Sequence, residues 1–278
     1  MKNKLLYVIK GFFFGVANII PGVSGGTIAI TMGIYEEMIS SISGFLKNPK
    51  KSIMYLLPIG IGAVLSILLM SKVISFCLDR FPAPTNLFFI GLIVGGIPLL
   101  TRKVKGAKFN PINAFLLLLT FSIIMFMTFS DGGGSNMDLS NVTFGKMILL
   151  FIVGMIAAGC MVIPGISGSF VLMLLGAYKP VISVIGDLTN FSNLGHNLSI
   201  LIPFGIGVVV GIILIAKILE FLFNKYEVST YYAILGFILA SVIALAVTVI
   251  GVHASVIEII VGIVLFAVGS TIGYKLGE

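Results

Sequence analysis

A helix-breaking heptapeptide, PGVSGGT at residues 21–27, lies within an apolar run and has a near copy, PGISGSF, at residues 164–170. Proline, glycine and hydroxyl residues interrupt a helix and leave backbone N–H groups without partners, which hydrocarbon penalises by several kcal/mol per group. At membrane depth such backbone is tolerated only where it is buried in protein or lines a wet cavity. The surroundings are those of a membrane chain. Of 278 residues, 58% are hydrophobic and 10% charged, against roughly 25% charged in a soluble domain. Several apolar runs reach the roughly 17–25 residues that a helix needs to cross a bilayer, and no segment resembles a separate soluble domain.

The two copies belong to a longer internal repeat. At an offset of about 143–145 residues, Pro21 falls on Pro164, Gly22 on Gly165, Ser24 on Ser167 and Gly25 on Gly168. GIYEEMI (33–39) then falls on GAYKPVI (176–182), LPIGIG (57–62) on IPFGIG (202–207), Lys72 on Lys217 and Gly91 on Gly236. Residues 1–131 and 132–278 are therefore two related repeats within one membrane domain. Each holds a motif segment, about 5–45 and about 146–190, followed by three apolar spans. The spans fall near 53–76, 84–101 and 112–130, then near 201–223, 230–249 and 256–274.

If each motif segment crosses the membrane, each half has four spans and the halves are parallel; if it dips in and returns, each has three and they are inverted. Basic residues gather on the cytoplasmic side and favour the dips. With an internal N-terminus, the inside receives Lys2, Lys4, Lys10, Lys47, Lys50, Lys51, Arg102, Lys103, Lys105, Lys108, Lys225 and Lys275, whereas Arg80, Lys146 and Lys179 stay outside. A crossing motif segment would put the KNPKK and TRKVKGAK loops outside. The expected fold is thus an all-α integral membrane protein of two inverted repeats, each a re-entrant helical hairpin plus three transmembrane helices, with both termini inside. The net charge of +7 reads as topology and not as nucleic-acid binding. Cys77 and Cys160 lie in apolar sequence without metal spacing or a disulfide framework. The start, MKNKLLYVIKGFFFGVANII, imitates a leader, but a comparable run precedes the second motif, so it reads as part of the fold.

Broken helices near the midplane commonly build transporter sites. Each Pro-Gly turn is expected at the tip of a hairpin, with Ser24, Gly25, Gly26 and Thr27 of the first and Ser167, Gly168 and Ser169 of the second at the start of the returning arm. Helix N-termini present unpaired N–H groups, so two tips meeting under pseudo-twofold symmetry would suit an anion. Lys72 and Lys217 could hand a negative headgroup toward the centre, or snorkel to the interface. Arg80 is a further candidate for coupling or gating, and reads more simply as an interfacial anchor. Glu36, Glu37 and Lys179, the partner of Glu36 in the repeat, are candidates for coupling or gating, as is Glu258, read as an acid within the last span. His196 and His253 read as surface residues. Gly91 with Gly95, Gly207 with Gly211, and Gly269 with Gly273 have small-xxx-small spacing and read as helix packing. No metal or other cofactor is expected.

At these residues, most specifically in GVANIIPGVSGGTIAITMGIYEE (15–37), the chain resembles the polyprenyl-phosphate transporter family over essentially its whole length. The resemblance implies translocation of undecaprenyl phosphate, the lipid carrier of envelope polymers, in the bacterial cytoplasmic membrane. Ser24, Gly25, Gly26 and Thr27 match the first family motif; Ser167 and Gly168 match the second, where Ser169 and Phe170 depart from it. The implied partners are the polyprenyl-phosphate lipid and membrane lipids, with a homodimer left open and no nucleic acid. Rocking of one half against the other would expose the headgroup to alternate sides. Two alternatives are a small-anion channel or ion-coupled anion transporter, and an enzyme. PGVSGGT also resembles the PGxSRS-type motif of membrane polyprenyl-pyrophosphate phosphatases, but Gly25 and Gly168 occupy the place of the arginine that would stabilise phosphoryl charge.

Overall fold

The computed structural model describes residues 4–19, 24–107, 110–130, 137–186, 193–252 and 254–277. Among them the chain forms twelve α-helices and no strand. The first repeat supplies α1 (Lys4–Ile19), α2 (Gly25–Thr31), α3 (Tyr35–Ser43), α4 (Pro49–Arg80), α5 (Pro82–Val104) and α6 (Pro111–Phe129). The second supplies α7 (Phe144–Val162), α8 (Gly168–Leu174), α9 (Tyr178–Gly186), α10 (Leu194–Lys225), α11 (Glu227–Ile250) and α12 (Val256–Gly277) in the same order. Seven helices, α4 to α7 and α10 to α12, are long and apolar enough to cross a membrane. The chain is an all-α, multi-pass membrane protein, and its exposed surface is rich in large apolar side chains such as Leu68, Phe126, Val209 and Ile260, as a lipid-facing surface requires.

Local chemistry sets the helix ends. Pro49, Pro82 and Pro111 open their helices where a missing N–H costs no hydrogen bond. The Asn110 side chain accepts from the Ile112 N–H at 2.9 Å. Ser255 and Glu258 form a capping box: the Ser255 N–H donates to the Glu258 carboxylate at 2.7 Å, and the Glu258 N–H donates back to Ser255 Oγ at 3.3 Å. The repeat equivalents Gly33 (φ 66°) and Gly176 (φ 67°) end α2 and α8 in the left-handed region, which glycine enters without a Cβ penalty. Beyond each, the chain bonds back, Ile34 N–H to the Ala29 carbonyl at 3.0 Å and Ala177 N–H to the Leu172 carbonyl at 2.9 Å.

The first two arms of each repeat form a return. Tyr7 of α1 packs edge-on against Tyr55 of α4, with ring centroids 5.1 Å apart; farther along, Gly11 lies against Ile59 and Gly15 against Ala63. Both numbers rise together, so α1 runs alongside the first part of α4 in the same direction. In α7 and α10, Phe151 lies against Gly207, Met155 against Gly211 and Gly159 against Ile215, again in one direction. The chain must therefore come back through α2 and α3, and through α8 and α9, before the long helix begins.

The last helix of each repeat then packs on the other repeat, α12 against α5 and α6 against α11. Gly91 and Gly95 abut the backbone of Phe266 and Ser270, while Gly269 and Gly273 abut that of Phe88 and Leu92. The expected small-residue pairs thus do join helices. Thr120 Oγ1 of α6 donates to the Ala233 carbonyl of α11 at 2.8 Å. The central helices α5 and α11 also touch, and α5 is the most enclosed span, 67% of its apolar window being buried against 17% for α6, α10 and α12. The two repeats are therefore interleaved, the last span of each packing on the other.

Candidate functional site

The returning arm of the first repeat lands on the Pro-Gly turn of the second. Thr27, fully buried, accepts the Gly165 N–H on Oγ1 at 2.9 Å. A Cβ on Gly26 would lie 3.2 Å from the Pro164 Cα, and Tyr35 Oη donates to the Val162 carbonyl at 2.8 Å. Gly165 itself sits at φ 80°. Two segments separated by about 140 residues in sequence therefore meet at their motifs. Pro21, Gly22 and Val23 lie outside the described residues.

Ser24 stands at the N-cap position of α2 without making a side-chain cap. It is 5% exposed, and its Oγ has no hydrogen-bond partner among the described residues. A buried hydroxyl left unpaired costs about 1–3 kcal/mol. Gly25 and Gly168 take matched parts: a Cβ on Gly25 would meet the Asn18 side chain, and one on Gly168 would meet Met161 Cβ at 3.1 Å, Asn18 and Met161 being equivalent positions of the repeat. Ser167 occupies the N-cap position of α8. Ser169 is the second residue of that helix, and its side chain lies outside the described set.

The other residues singled out from sequence fall elsewhere. Lys72 and Lys217 are exposed, among exposed Leu69, Val73 and Phe76 on α4 and Leu214, Ile218 and Phe221 on α10; no described contact joins either to the motifs. Arg80 is exposed at the end of α4, Lys179 is exposed on α9, and Glu37 is exposed on α3. Glu36 pairs not with Lys179 but with Lys103 of α5 at 3.1 Å, and Lys103 also approaches Glu227 of α11 at 3.8 Å. Glu258 is not an acid deep within its span: it sits in the first turn of α12 and caps it. His196 is exposed in the first turn of α10, and His253 lies outside the described residues.

Three contributors are not singled out by the sequence reading. Lys10 is buried, and its Nζ donates to the Met32 carbonyl at the end of α2 at 2.7 Å. Tyr55 Oη donates to the Ile34 carbonyl at 3.0 Å, so two side chains satisfy carbonyls at the break between α2 and α3. Glu220 of α10 accepts from Ser40 Oγ at 3.1 Å and from Ser43 Oγ. The signal for Lys10 and Glu220 is a charge inside an apolar helical run, KLLYVIKGFFF and LIAKILEFLF.

Beside the motif contact lies a vestibule of about 280 Å³, lined by Gly33, Tyr35, Glu36, Lys103, Tyr231 and Ile234 among others. Lys103 and Glu36 are 39% and 47% exposed, so water screens their pair, and exposed pairs of this kind contribute only about 0.2–1 kcal/mol. Lys103→Gln is expected to leave the melting temperature of the detergent-solubilised protein nearly unchanged; a drop of about 10 °C or more would mean that the cation organises the fold. Among the described residues no group of His, Cys, Asp or Glu could hold a metal ion.

The undecaprenyl phosphate translocase-like family matches residues 14–258. The chain belongs to this family. Over 282 aligned residues it is 34% identical to a polyprenyl-phosphate transporter of Staphylococcus aureus, covering 99% of this chain and 96% of the relative. Over 253 residues it is 31% identical to a polyprenyl-phosphate transporter of Vibrio cholerae, covering 86% of this chain and 76% of the relative. No solved structure matches.

Proposed function

We infer that this chain carries a polyprenyl phosphate, undecaprenyl phosphate by family, across the bacterial cytoplasmic membrane and is not an enzyme. Membership of the family supports the substrate class. The observation that carries the site is the meeting of the two motifs at Thr27 and Gly165, with the buried, unpartnered Ser24 hydroxyl beside it. A phosphate monoester bears about −1.5 to −2 charges at neutral pH, and moving a unit ion into hydrocarbon costs of order 20 kcal/mol in the idealised limit. The site must replace the lost hydration while the chain stays in lipid. Ser24, Ser167 and Ser169, with the first amides of α2 and α8 at Gly25, Gly26 and Gly168, form the proposed donor set. Both helices have seven residues, so these local donors, and not a long helix dipole, would hold the anion. Thr27 would act chiefly by holding the two motifs together, and Lys72 and Lys217 as interfacial cations that guide the headgroup.

The proposed topology places both termini inside, with the motif hairpins entering from opposite leaflets. Supporting it, α1 runs with α4 and α7 with α10, and Glu220 near the end of α10 bonds to Ser40 and Ser43 just before the start of α4. The equivalent position in the first repeat, Ser75, is far along α4, as expected if the two long helices point opposite ways. In liposomes that report leaflet exchange of a polyprenyl phosphate, Ser24→Ala is expected to slow exchange about tenfold or more while keeping or raising thermal stability, because it removes a buried unpaired hydroxyl. Wild-type exchange by that variant would overturn the site, and phosphate release from a polyprenyl pyrophosphate would mark an enzyme instead.

A further inference from the structure

Between α6, α10 and α11 lies a groove of about 400 Å³ whose lining is almost wholly apolar, including Ile163, Pro164, Ile218, Leu222, Ala233 and Phe237. We propose that this groove holds the prenyl chain of the transported lipid next to its headgroup; the proposal rests on the transport reading above. Three observations select this occupant. Ile163 and Pro164, the residues just before the Gly165 amide that Thr27 accepts, line the groove, so a chain lying in it passes next to the motif contact. Ile234 lines both this groove and the vestibule that contains Lys103, Glu36 and Glu37. The groove and the vestibule thus adjoin at this side chain. Along α11 the lining runs from Tyr226 to Phe237, about 16 Å at 1.5 Å per residue, and exposed Ile112 and Ile218 form an edge on the lipid-facing surface.

The repeat gives the reason why this groove has its width. TYYAILG (230–236) aligns with TNLFFIG (85–91), which sets Ala233 opposite Phe88 and Ile234 opposite Phe89. In the first repeat the two rings at these positions pack edge-on at 5.1 Å, with Phe89 buried. The small side chain at 233 lines the groove where its counterpart in the other half is phenylalanine, so the proposed site for the chain differs between the halves although the motifs are paired.

The test follows from copying the first repeat. Ala233→Phe fills the groove from α11, and Ile218→Trp fills it from the exposed side of α10 without altering the buried core; the Thr120 bond to residue 233 uses its backbone and survives. Exchange of a long polyprenyl phosphate and of a one- or two-isoprene phosphate is followed in liposomes with the full-length chain. Both variants are expected to slow the long lipid about tenfold, the loss of a few buried methylenes, and to leave the short one within about twofold of wild type. Unchanged exchange of the long lipid would mean that bulk lipid covers the groove, and equal slowing of both lipids would mean that the block is not at the chain; either result overturns the proposal. If the wild-type protein moves neither lipid, the transport reading itself fails.

Discussion

Gly26→Leu is expected to insert, to purify as a folded protein and to exchange polyprenyl phosphate no faster than protein-free liposomes. A Cβ at Gly26 would stand 3.2 Å from the Pro164 Cα and 3.4 Å from the Val162 carbonyl oxygen. These are backbone atoms, so no rotamer change relieves the contact, and a leucine must push the two motifs apart. The Thr27 bond to Gly165 and the Tyr35 bond to Val162 would then be lost together. Each leaves a buried polar group costing about 1–3 kcal/mol. The fold would survive because its larger interfaces, α5 with α12 and α7 with α10, lie elsewhere. Gly26→Ala should fall between, since a neighbour need give only a few tenths of an ångström. Wild-type exchange by the leucine variant would separate the motif contact from transport.

Gly95→Leu should fail earlier, at assembly. A Cβ there strikes the Ser270 carbonyl, in the interface that ties the last helix of the second repeat to the most enclosed helix of the first. Overpacking typically costs about 1–3 kcal/mol and more where backbone meets backbone, and close approach through small residues is a main source of helix association in lipid. The yield of monodisperse protein after detergent extraction should collapse. Gly60→Leu is the matched control, because nothing lies within 4 Å of a Cβ at that position; it should accumulate like wild type. Normal yield and melting temperature for Gly95→Leu would show that α12 need not pack on α5 for the protein to assemble.

The spans are legible in the sequence because apolar run length is set by bilayer thickness, a constraint that acts on each helix alone. The repeat is legible for a related reason: the paired Pro-Gly motifs break runs that would otherwise be continuous. Exchange of α6 and α12 between repeats is not, since GxxxG spacing says that a helix packs closely without saying on which partner. Gly26, Thr27 and Gly165 lie where the two motifs touch, whereas Lys72 and Lys217 are exposed on α4 and α10. Lys72 and Lys217 attract attention because they are repeat equivalents, and equivalence carries no information about which face of a long helix they occupy. Ser255-x-x-Glu258 is a capping box in plain sequence, whereas hydropathy alone places Glu258 inside the span. Ala233 opposite Phe88 is readable once the two halves are aligned, but a void becomes visible only when the surrounding side chains are in place. Lys10 and Glu220 carry a signal in their apolar context, but their partners, Met32 and the hydroxyls of Ser40 and Ser43, are set by tertiary packing.

The most direct measurement is photolabelling with a polyprenyl phosphate that carries its reactive group at the headgroup end, followed by mapping of the labelled peptides in the full-length protein. Label is expected on both motif segments, around Ser24–Thr27 and around Pro164–Gly168, and is expected to be lost from both in Gly26→Leu. Label confined to the outward faces of α4 and α10 around Lys72 and Lys217, with none on either motif, would contradict a site at the motifs.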